Sequence, residues 1–169
     1  MADRAVHEIP PVFDGNSRVL VLGSFPSVKS REARFFYHHP QNRFWRLLAS
    51  LFGEETPDGV EEKKAFLLRH GVAVWDVIAS CEITCSSDSS IKNVVPNDIS
   101  RILKSAPIRQ IFCNGATSYN LYRRYCLAST GMDAVKLPST SPANAACSLD
   151  RLAQLWAPVR DEAEGIPQI

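Results

Sequence analysis

The sequence predicts an α/β fold, a three-layer α/β/α sandwich around a mainly parallel, four-stranded sheet. Short apolar runs alternate along the chain with segments whose apolar residues recur at helical spacing, as in strands joined by helices. Polar segments follow the apolar runs, at the edge where a parallel sheet binds its ligands. The 169 residues, 45% hydrophobic and 22% charged, are enough for one domain with a buried core.

Each element follows from a local pattern. The apolar runs predict strands over residues 18–22, 72–75, 108–113 and 134–137. Apolar spacing predicts helices over residues 43–52, 60–70, 99–104, 116–125 and 149–160, the third capped by Asn97 or Asp98. Residues 81–96 show neither the pattern of a strand nor the apolar spacing of a helix, and they predict a long functional loop. We expect an irregular lead-in over residues 1–17, one domain over 18–160 and a fraying tail over 161–169.

Charge and cysteine content exclude several classes of protein. The net charge of +1 gives no overall attraction for nucleic acid, so a DNA contact requires a local patch. Four arginines near the first strand either form such a patch or lie on a solvated helix face: Arg31, Arg34, Arg43 and Arg46. The five cysteines lack metal-ligand spacing, which favours reduced thiols in a cytoplasmic protein. We expect no metal, no cofactor and no membrane segment.

Several polar positions each have two interpretations. The turn at residues 23–27 is either a plain connection or a set of backbone N–H donors for an anion or carbonyl. Asn42 either caps the next helix or binds a ligand. Phe44 belongs either to the core or to a pocket, and Asp76 either caps a turn or reads a ligand edge. The Ser139–Ser141 segment between two prolines is either a hydrogen-bonded turn or a rigid loop for DNA.

Taken together, these motifs resemble the uracil-DNA glycosylase superfamily, and within it the hypoxanthine-DNA glycosylase (DNA-deoxyinosine glycosylase) branch. The resemblance extends from about residue 18 to about residue 157, in family order. Its specific motifs are HPQNRFW at residues 39–45 and LPSTSPAN at residues 137–144, with WDV at residues 75–77 between them. Residues 23–27, 87–88, 97–98 and 112–115 and Ile91 also match.

The resemblance implies an enzyme that flips a deaminated base out of DNA and hydrolyses its N-glycosidic bond. Asn42 matches the asparagine regarded as catalytic in this branch. The implied base-binding residues are Gly23, Ser24, Phe25, Pro26, Ser27, Phe44 and Asp76. The implied DNA-binding residues are Pro138, Ser139, Thr140, Ser141, Pro142 and Asn144. DNA containing deaminated bases is the expected partner of a chain expected to be monomeric.

Three positions favour a purine substrate. Phe25 replaces the water-activating aspartate of the best-known uracil enzymes, and Leu137 replaces their histidine. Ser27 stands where those enzymes carry a bulky tyrosine, which leaves room for hypoxanthine or xanthine. No motif places a lysine for a Schiff base, so we expect a monofunctional enzyme. The alternatives are a uracil- or mismatch-specific glycosylase and a non-catalytic nucleic-acid-binding relative.

Overall fold

A computed structural model of the chain describes residues 3–7, 9–84 and 87–165. The strands are β1 (Asp3–Val6), β2 (Val19–Gly23), β3 (Val72–Asp76), β4 (Ile78–Ile83), β5 (Lys92–Pro96), β6 (Gln110–Asn114) and β7 (Ala134–Leu137). The α-helices are α1 (Val28–Ala33), α2 (Phe44–Phe52), α3 (Val60–Arg69), α4 (Ser100–Ser105), α5 (Ala116–Tyr125), α6 (Leu127–Thr130) and α7 (Leu149–Glu164). Cys85, parts of the predicted lead-in and the tail beyond residue 165 lie outside the described residues.

The main sheet contains the four predicted strands. Their order is β3-β2-β6-β7 and every pairing is parallel, so the predicted fold class is confirmed. All residues of β2 and β3 are buried, as expected for strands covered on both faces. The order reverses between β2 and β6, which opens a crevice beyond the carboxyl ends of these two strands.

Helices cover both faces of this sheet. The chain moves in one direction from β2 to β3 and in the other from β6 to β7, so right-handed crossovers place their helices on opposite faces. One layer contains α2, α3 and α7, with α2 packed on α7 and α3 on β3. The other contains α5 against β6 and β7, and α4 with α6.

A second sheet corrects two sequence predictions. It is three-stranded and antiparallel in the described residues, with the order β1-β4-β5. The lead-in was predicted to be irregular and residues 81–96 to be a loop, but the lead-in supplies β1, and the loop region supplies β5 and the end of β4. The sequence missed these strands because they are short and mostly half-exposed, with bulges in the β4–β5 pairing, so neither period is sustained.

Two helix ends also differ from prediction. Neither Asn97 nor Asp98 caps α4 with its side chain. Instead, Nδ2 of Asn97 donates to the carbonyls of Asp76 and Ile78, at 2.9 and 3.2 Å, and joins α4 to the end of β3. The last helix continues four residues beyond its predicted end at Arg160 and stops at Gly165, which adopts a left-handed conformation.

Candidate active site

A cavity of about 320 Å³ opens beyond the carboxyl ends of the central strands. Gly23 at the end of β2 is paired in register with Asp76 at the end of β3, and Asn114 ends β6 beside them. The cavity is lined by Gly23, Ser24, Phe25, Pro26, Ser27, Ser30, Phe36, Tyr37, His39, Asn42, Asp76, Asn114, Ser139, Thr140, Ser141, Pro142 and Ala143. Its volume lies in the usual range for small-ligand pockets.

The structure therefore brings most of the predicted site residues to one place. The turn after β2, Asn42, Asp76 and four residues of the loop after β7 all line this cavity. Pro138 and Asn144 do not; they border a neighbouring groove together with Lys136. Phe44 is also absent from the lining.

Asn42 is held by a hydrogen-bonded chain that reaches from β6 to α2. Nδ2 of Asn114 donates to the Thr140 hydroxyl at 3.0 Å, and this hydroxyl donates to Oδ1 of Asn42 at 2.8 Å. The backbone N–H of Phe44 donates to the same Oδ1 at 3.0 Å. Two donors thus occupy the oxygen, and the Nδ2 amine of Asn42 makes no hydrogen bond to any described residue. Asn42 precedes Arg43, the N-cap residue of α2, and lines the cavity with its amine unpaired among the described residues.

Thr140 is a buried residue of the loop after β7. Its side chain is fully buried, and its backbone N–H donates to Oδ1 of Asn114 at 3.0 Å. Thr140 thus connects the loop to Asn42 and Asn114, and its predicted DNA contact stays a prediction.

The loop over residues 138–144 is fastened from inside the protein. The guanidinium of Arg43 donates to the carbonyls of Ser141, at 3.2 Å, and Asn144, at 3.0 Å, and also to that of Cys147. The indole N–H of Trp156, on α7, donates to the carbonyl of Pro138 at 2.9 Å. The sequence placed Arg43 either in a basic patch for DNA or on a solvated helix face, whereas in the structure its guanidinium holds this loop.

Tyr37 lies in the cavity wall, with Phe44 directly behind it. Phe44 is fully buried, and its ring stacks on that of Tyr37 at 4.0 Å between centroids. Tyr37 lines the cavity and Phe44 does not, and the predicted base contact of Phe44 stays a prediction. The Tyr37 hydroxyl is buried without a hydrogen bond among the described residues. Its burial, and next the charge of Asp76, raise the pKa of Tyr37, which keeps the phenol neutral.

Asp76 is a buried carboxylate at the base of the cavity. It is the only carboxylate among the described lining residues. Oδ2 lies 2.7 Å from Nε2 of His7, and the side chains are 5% and 0% exposed, respectively. Oδ1 lies directly over Gly23, because a Cβ added to this glycine would approach it to 2.4 Å. A glycine is needed here so that the carboxylate can reach the cavity.

The turn after β2 presents backbone groups to the same space. Ser27 caps α1, and its hydroxyl accepts a hydrogen bond from the N–H of Ser30. The N–H groups of Phe25 and Ser27 make no hydrogen bond to the described residues. Phe25 itself packs beside the imidazole of His7, with 6.1 Å between ring centroids. Both residues line the cavity, so their N–H groups are candidate donors to a ligand there.

Sequence inspection missed four contributors: His7, Tyr37, Arg43 as a loop anchor, and Asn114 as a partner of Thr140. Asn114 could have been identified from the sequence, because it directly follows the strand predicted over residues 108–113. His7 gave none, since it is a single histidine in a segment without periodicity. Within the described ranges, no cluster of His, Cys, Asp and Glu would hold a metal ion, and no helix is long and apolar enough to cross a membrane.

Comparison with known proteins places the chain in a family. The family model of the uracil DNA glycosylase superfamily matches residues 10–161. A hypoxanthine DNA glycosylase of Methanosarcina acetivorans is 34% identical over 151 residues, covering 89% of this chain and 94% of the relative. A hypoxanthine DNA glycosylase of Methanosarcina barkeri is 34% identical over 111 residues, covering 64% of this chain and 70% of the relative.

A solved structure agrees with the sequence matches. The solution NMR structure of a Methanosarcina acetivorans protein, provisionally described as a uracil DNA glycosylase, superimposes with a TM-score of 0.79 at 33% identity. The match covers 92% of this chain and 96% of that protein. Fold, motif order and sequence identity therefore agree, and the chain belongs to the uracil DNA glycosylase superfamily.

Proposed function

We propose that this protein is a monofunctional DNA glycosylase that flips a deaminated base, chiefly hypoxanthine, out of DNA and hydrolyses its N-glycosidic bond. This reaction starts base excision repair. One observation carries the proposal: Asn42 and Asp76 converge on a single cavity at the switch point of a parallel sheet. The names of the two Methanosarcina relatives support hypoxanthine as the base.

Asp76 and Asn42 present complementary hydrogen-bonding groups to the flipped base. Oδ1 of Asp76 accepts the ring N–H that hypoxanthine, xanthine and uracil share. The Nδ2 amine of Asn42 donates either to the base or to the attacking water. Because Oδ1 of Asn42 already accepts two hydrogen bonds, the residue orients these groups and does not remove a proton from water. Tyr37 offers its ring face beside the base.

Bond cleavage leaves negative charge on the base and an oxocarbenium-like sugar. The N–H groups of Phe25 and Ser27 stabilise the charge on the departing base, as donors do in an oxyanion hole. A water molecule bonds to the anomeric carbon while the N-glycosidic bond breaks and the base leaves with the bonding electrons. The proton that the water loses passes through solvent to the departing base, which becomes neutral. Residues 18–160 act as one glycosylase domain, in which Phe25 and the buried Leu137 supply no acid or base.

The loop over residues 138–144 approaches the DNA. Ser139, Ser141 and Pro142 lie at the cavity wall, whereas Pro138 and Asn144 border the neighbouring groove. Its rigidity, provided by Arg43 and Trp156, suits a loop that presses into a groove and contacts phosphates. We propose that the enzyme acts as a monomer, and that its buried reduced thiols reflect work in the cytoplasm.

The test uses duplex oligonucleotides that contain a single deoxyinosine, deoxyxanthosine or deoxyuridine. We expect base release from the deoxyinosine duplex, detected as strand cleavage only after alkali. Cleavage without alkali would contradict the monofunctional mechanism, and faster release of uracil would favour the uracil-specific alternative. Absence of alkali-labile sites in all three duplexes would reject the enzyme activity and leave a non-catalytic nucleic-acid-binding protein.

A further inference from the structure

His7 lies beneath the cavity and contacts its carboxylate, although the family model begins only at residue 10. Its backbone N–H donates to the carbonyl of Ala79 at 2.6 Å, which places the residue directly after β1. Its imidazole is fully buried, with Nε2 2.7 Å from Oδ2 of Asp76. The lead-in therefore reaches into the site.

The hydrogen bonds of His7 define its tautomer. The backbone N–H of Ile9 donates to Nδ1 at 3.2 Å. A backbone N–H can only donate, so Nδ1 is the acceptor and the ring proton lies on Nε2. This proton is donated to Oδ2 of Asp76. The pair is thus a neutral imidazole that donates to a carboxylate, with one partner fixed by the main chain.

The other oxygen of Asp76 is left for the ligand. Oδ1 lies over Gly23 and makes no hydrogen bond to a described residue. Because His7 occupies Oδ2, the cavity meets the second carboxylate oxygen, which accepts hydrogen bonds and has no proton to donate. Hypoxanthine, xanthine and uracil have a ring N–H at their Watson–Crick edge. The unmodified bases adenine and cytosine carry a lone pair there, which a carboxylate repels.

We propose that His7 is a specificity-determining residue, which positions Asp76 as an obligate acceptor so that the pocket selects bases with a ring N–H over adenine and cytosine. This inference rests on the proposed function and on the role of Asp76 in it. His7 acts through Asp76 and does not touch the base. The competing explanation is a packing role only, since the imidazole also lies beside Phe25 and Phe36.

The decisive variant is Asp76→Asn, with and without His7. Nε2–H of His7 still requires an acceptor, so it turns the new amide oxygen toward itself and the amine toward the base. The cavity then offers a donor, and we expect the ratio of kcat/KM on deoxyinosine to that on deoxyadenosine to fall at least about tenfold. In the double variant His7→Leu/Asp76→Asn the amide is free to rotate, and part of that ratio returns.

Matched variants separate positioning from folding. His7→Gln keeps a side-chain N–H donor and is expected to retain discrimination better than His7→Leu. Arg4→Ala removes hydrogen bonds of β1 to Asn93 and Ser80 without touching Asp76, and is expected to leave the base ratio unchanged. A loss of discrimination in Arg4→Ala equal to that in His7→Leu would support packing alone and overturn the proposal.

Two further outcomes would overturn it. Equal base ratios in Asp76→Asn and in the double variant would show that His7 does not orient residue 76. A ¹⁵N spectrum of the His7 ring that shows an imidazolium or an Nδ1–H tautomer would contradict the hydrogen-bond assignment. Failure of the proposed function has a different signature, because wild-type protein would then release no base while the ring spectrum still showed the Nε2–H tautomer.

Discussion

The hydroxyl of Thr140 donates a 2.8 Å hydrogen bond to Oδ1 of Asn42, a residue 98 positions away in sequence. Thr140 in turn is fixed by both polar atoms of the Asn114 side chain. The loop after β7 therefore determines which end of the Asn42 amide faces the cavity. Loop position and the proposed catalytic group are physically coupled.

Thr140→Val tests this coupling. Without the hydroxyl, Oδ1 of Asn42 keeps only the Phe44 N–H, and Asn114 loses an acceptor. We expect single-turnover base release to slow about tenfold, the equivalent of one buried hydrogen bond. Thr140→Ser keeps the donor and should retain most of the rate. Equal rates for the valine variant and wild type would show that the coupling is irrelevant to catalysis.

Asn42 itself is tested by two substitutions. Asn42→Ala removes the amine and should lower the rate by about 100- to 1,000-fold while the protein stays folded. Asn42→Asp keeps an acceptor for Thr140 and Phe44 but cannot donate to the ligand. We expect it to be as defective as the alanine variant. High activity of Asn42→Asp would mean that the residue works as an acceptor or base, and full activity of Asn42→Ala would remove it from the mechanism.

Gly23→Ala should damage the site without unfolding the chain. The added Cβ would meet Oδ1 of Asp76 at 2.4 Å and the Tyr37 hydroxyl at 3.1 Å, so the carboxylate must leave its position. We expect KM for the deoxyinosine duplex to rise and kcat to fall. Gly15→Ala is the matched control, because nothing lies within 4 Å of its added Cβ. Wild-type kinetics in Gly23→Ala would be inconsistent with a base-reading Asp76.

Arg43→Lys tests the support of the DNA-facing loop. A lysine ammonium cannot reproduce the planar fork that reaches several carbonyl groups at once. We expect weaker binding to a duplex containing an abasic-site analogue, measured by fluorescence anisotropy. Arg46→Lys, at an exposed position of α2, the helix that Arg43 precedes, should bind like wild type. If both variants bound the duplex with equal affinity, the support of the loop by Arg43 would not contribute to DNA binding.

Buried thiols predict how stability depends on alkaline pH. Burial raises the pKa of Cys126 to about 11 and that of Cys113 to about 12, from the ordinary 9.0. The folded state therefore holds these protons more tightly than the unfolded chain. Their contribution is complete below pH 9 and is lost as the pH rises through 11, at about 1.4 kcal/mol per unit of pKa difference.

Urea unfolding at pH 8, 9 and 10 measures this effect. The free energy of unfolding should decrease from pH 9 upward, and the decrease should be smaller in Cys126→Ala. Cys147→Ala, at a half-exposed position, should follow the wild-type profile. If the free energy of unfolding decreased equally with pH in Cys126→Ala and in wild type, the decrease would come from groups other than Cys126.

Local patterns predicted the main sheet well and the second sheet poorly. Strands β2 and β3 are nearly continuous apolar runs. Such a run is typical of a strand that is buried on both faces of a parallel sheet, so the prediction was direct. The antiparallel sheet of β1, β4 and β5 is held by pairing between distant segments with many half-exposed positions, which leave little periodicity. The role of Asn97 could not be predicted for a similar reason, because its side chain donates to a carbonyl at the end of β3 that is distant in sequence.

The sequence alone determined which four segments form the main sheet, the motif residues that follow them, and the family. These follow from periodicity, turn chemistry and motif spacing, which are local properties. Tertiary structure decided what the motif residues do: Tyr37 rather than Phe44 faces the cavity, Asn42 presents its amine, and His7 holds Asp76 across 69 positions of sequence. Hydrogen bonds between distant segments fix these orientations, and only the folded chain brings the partners together.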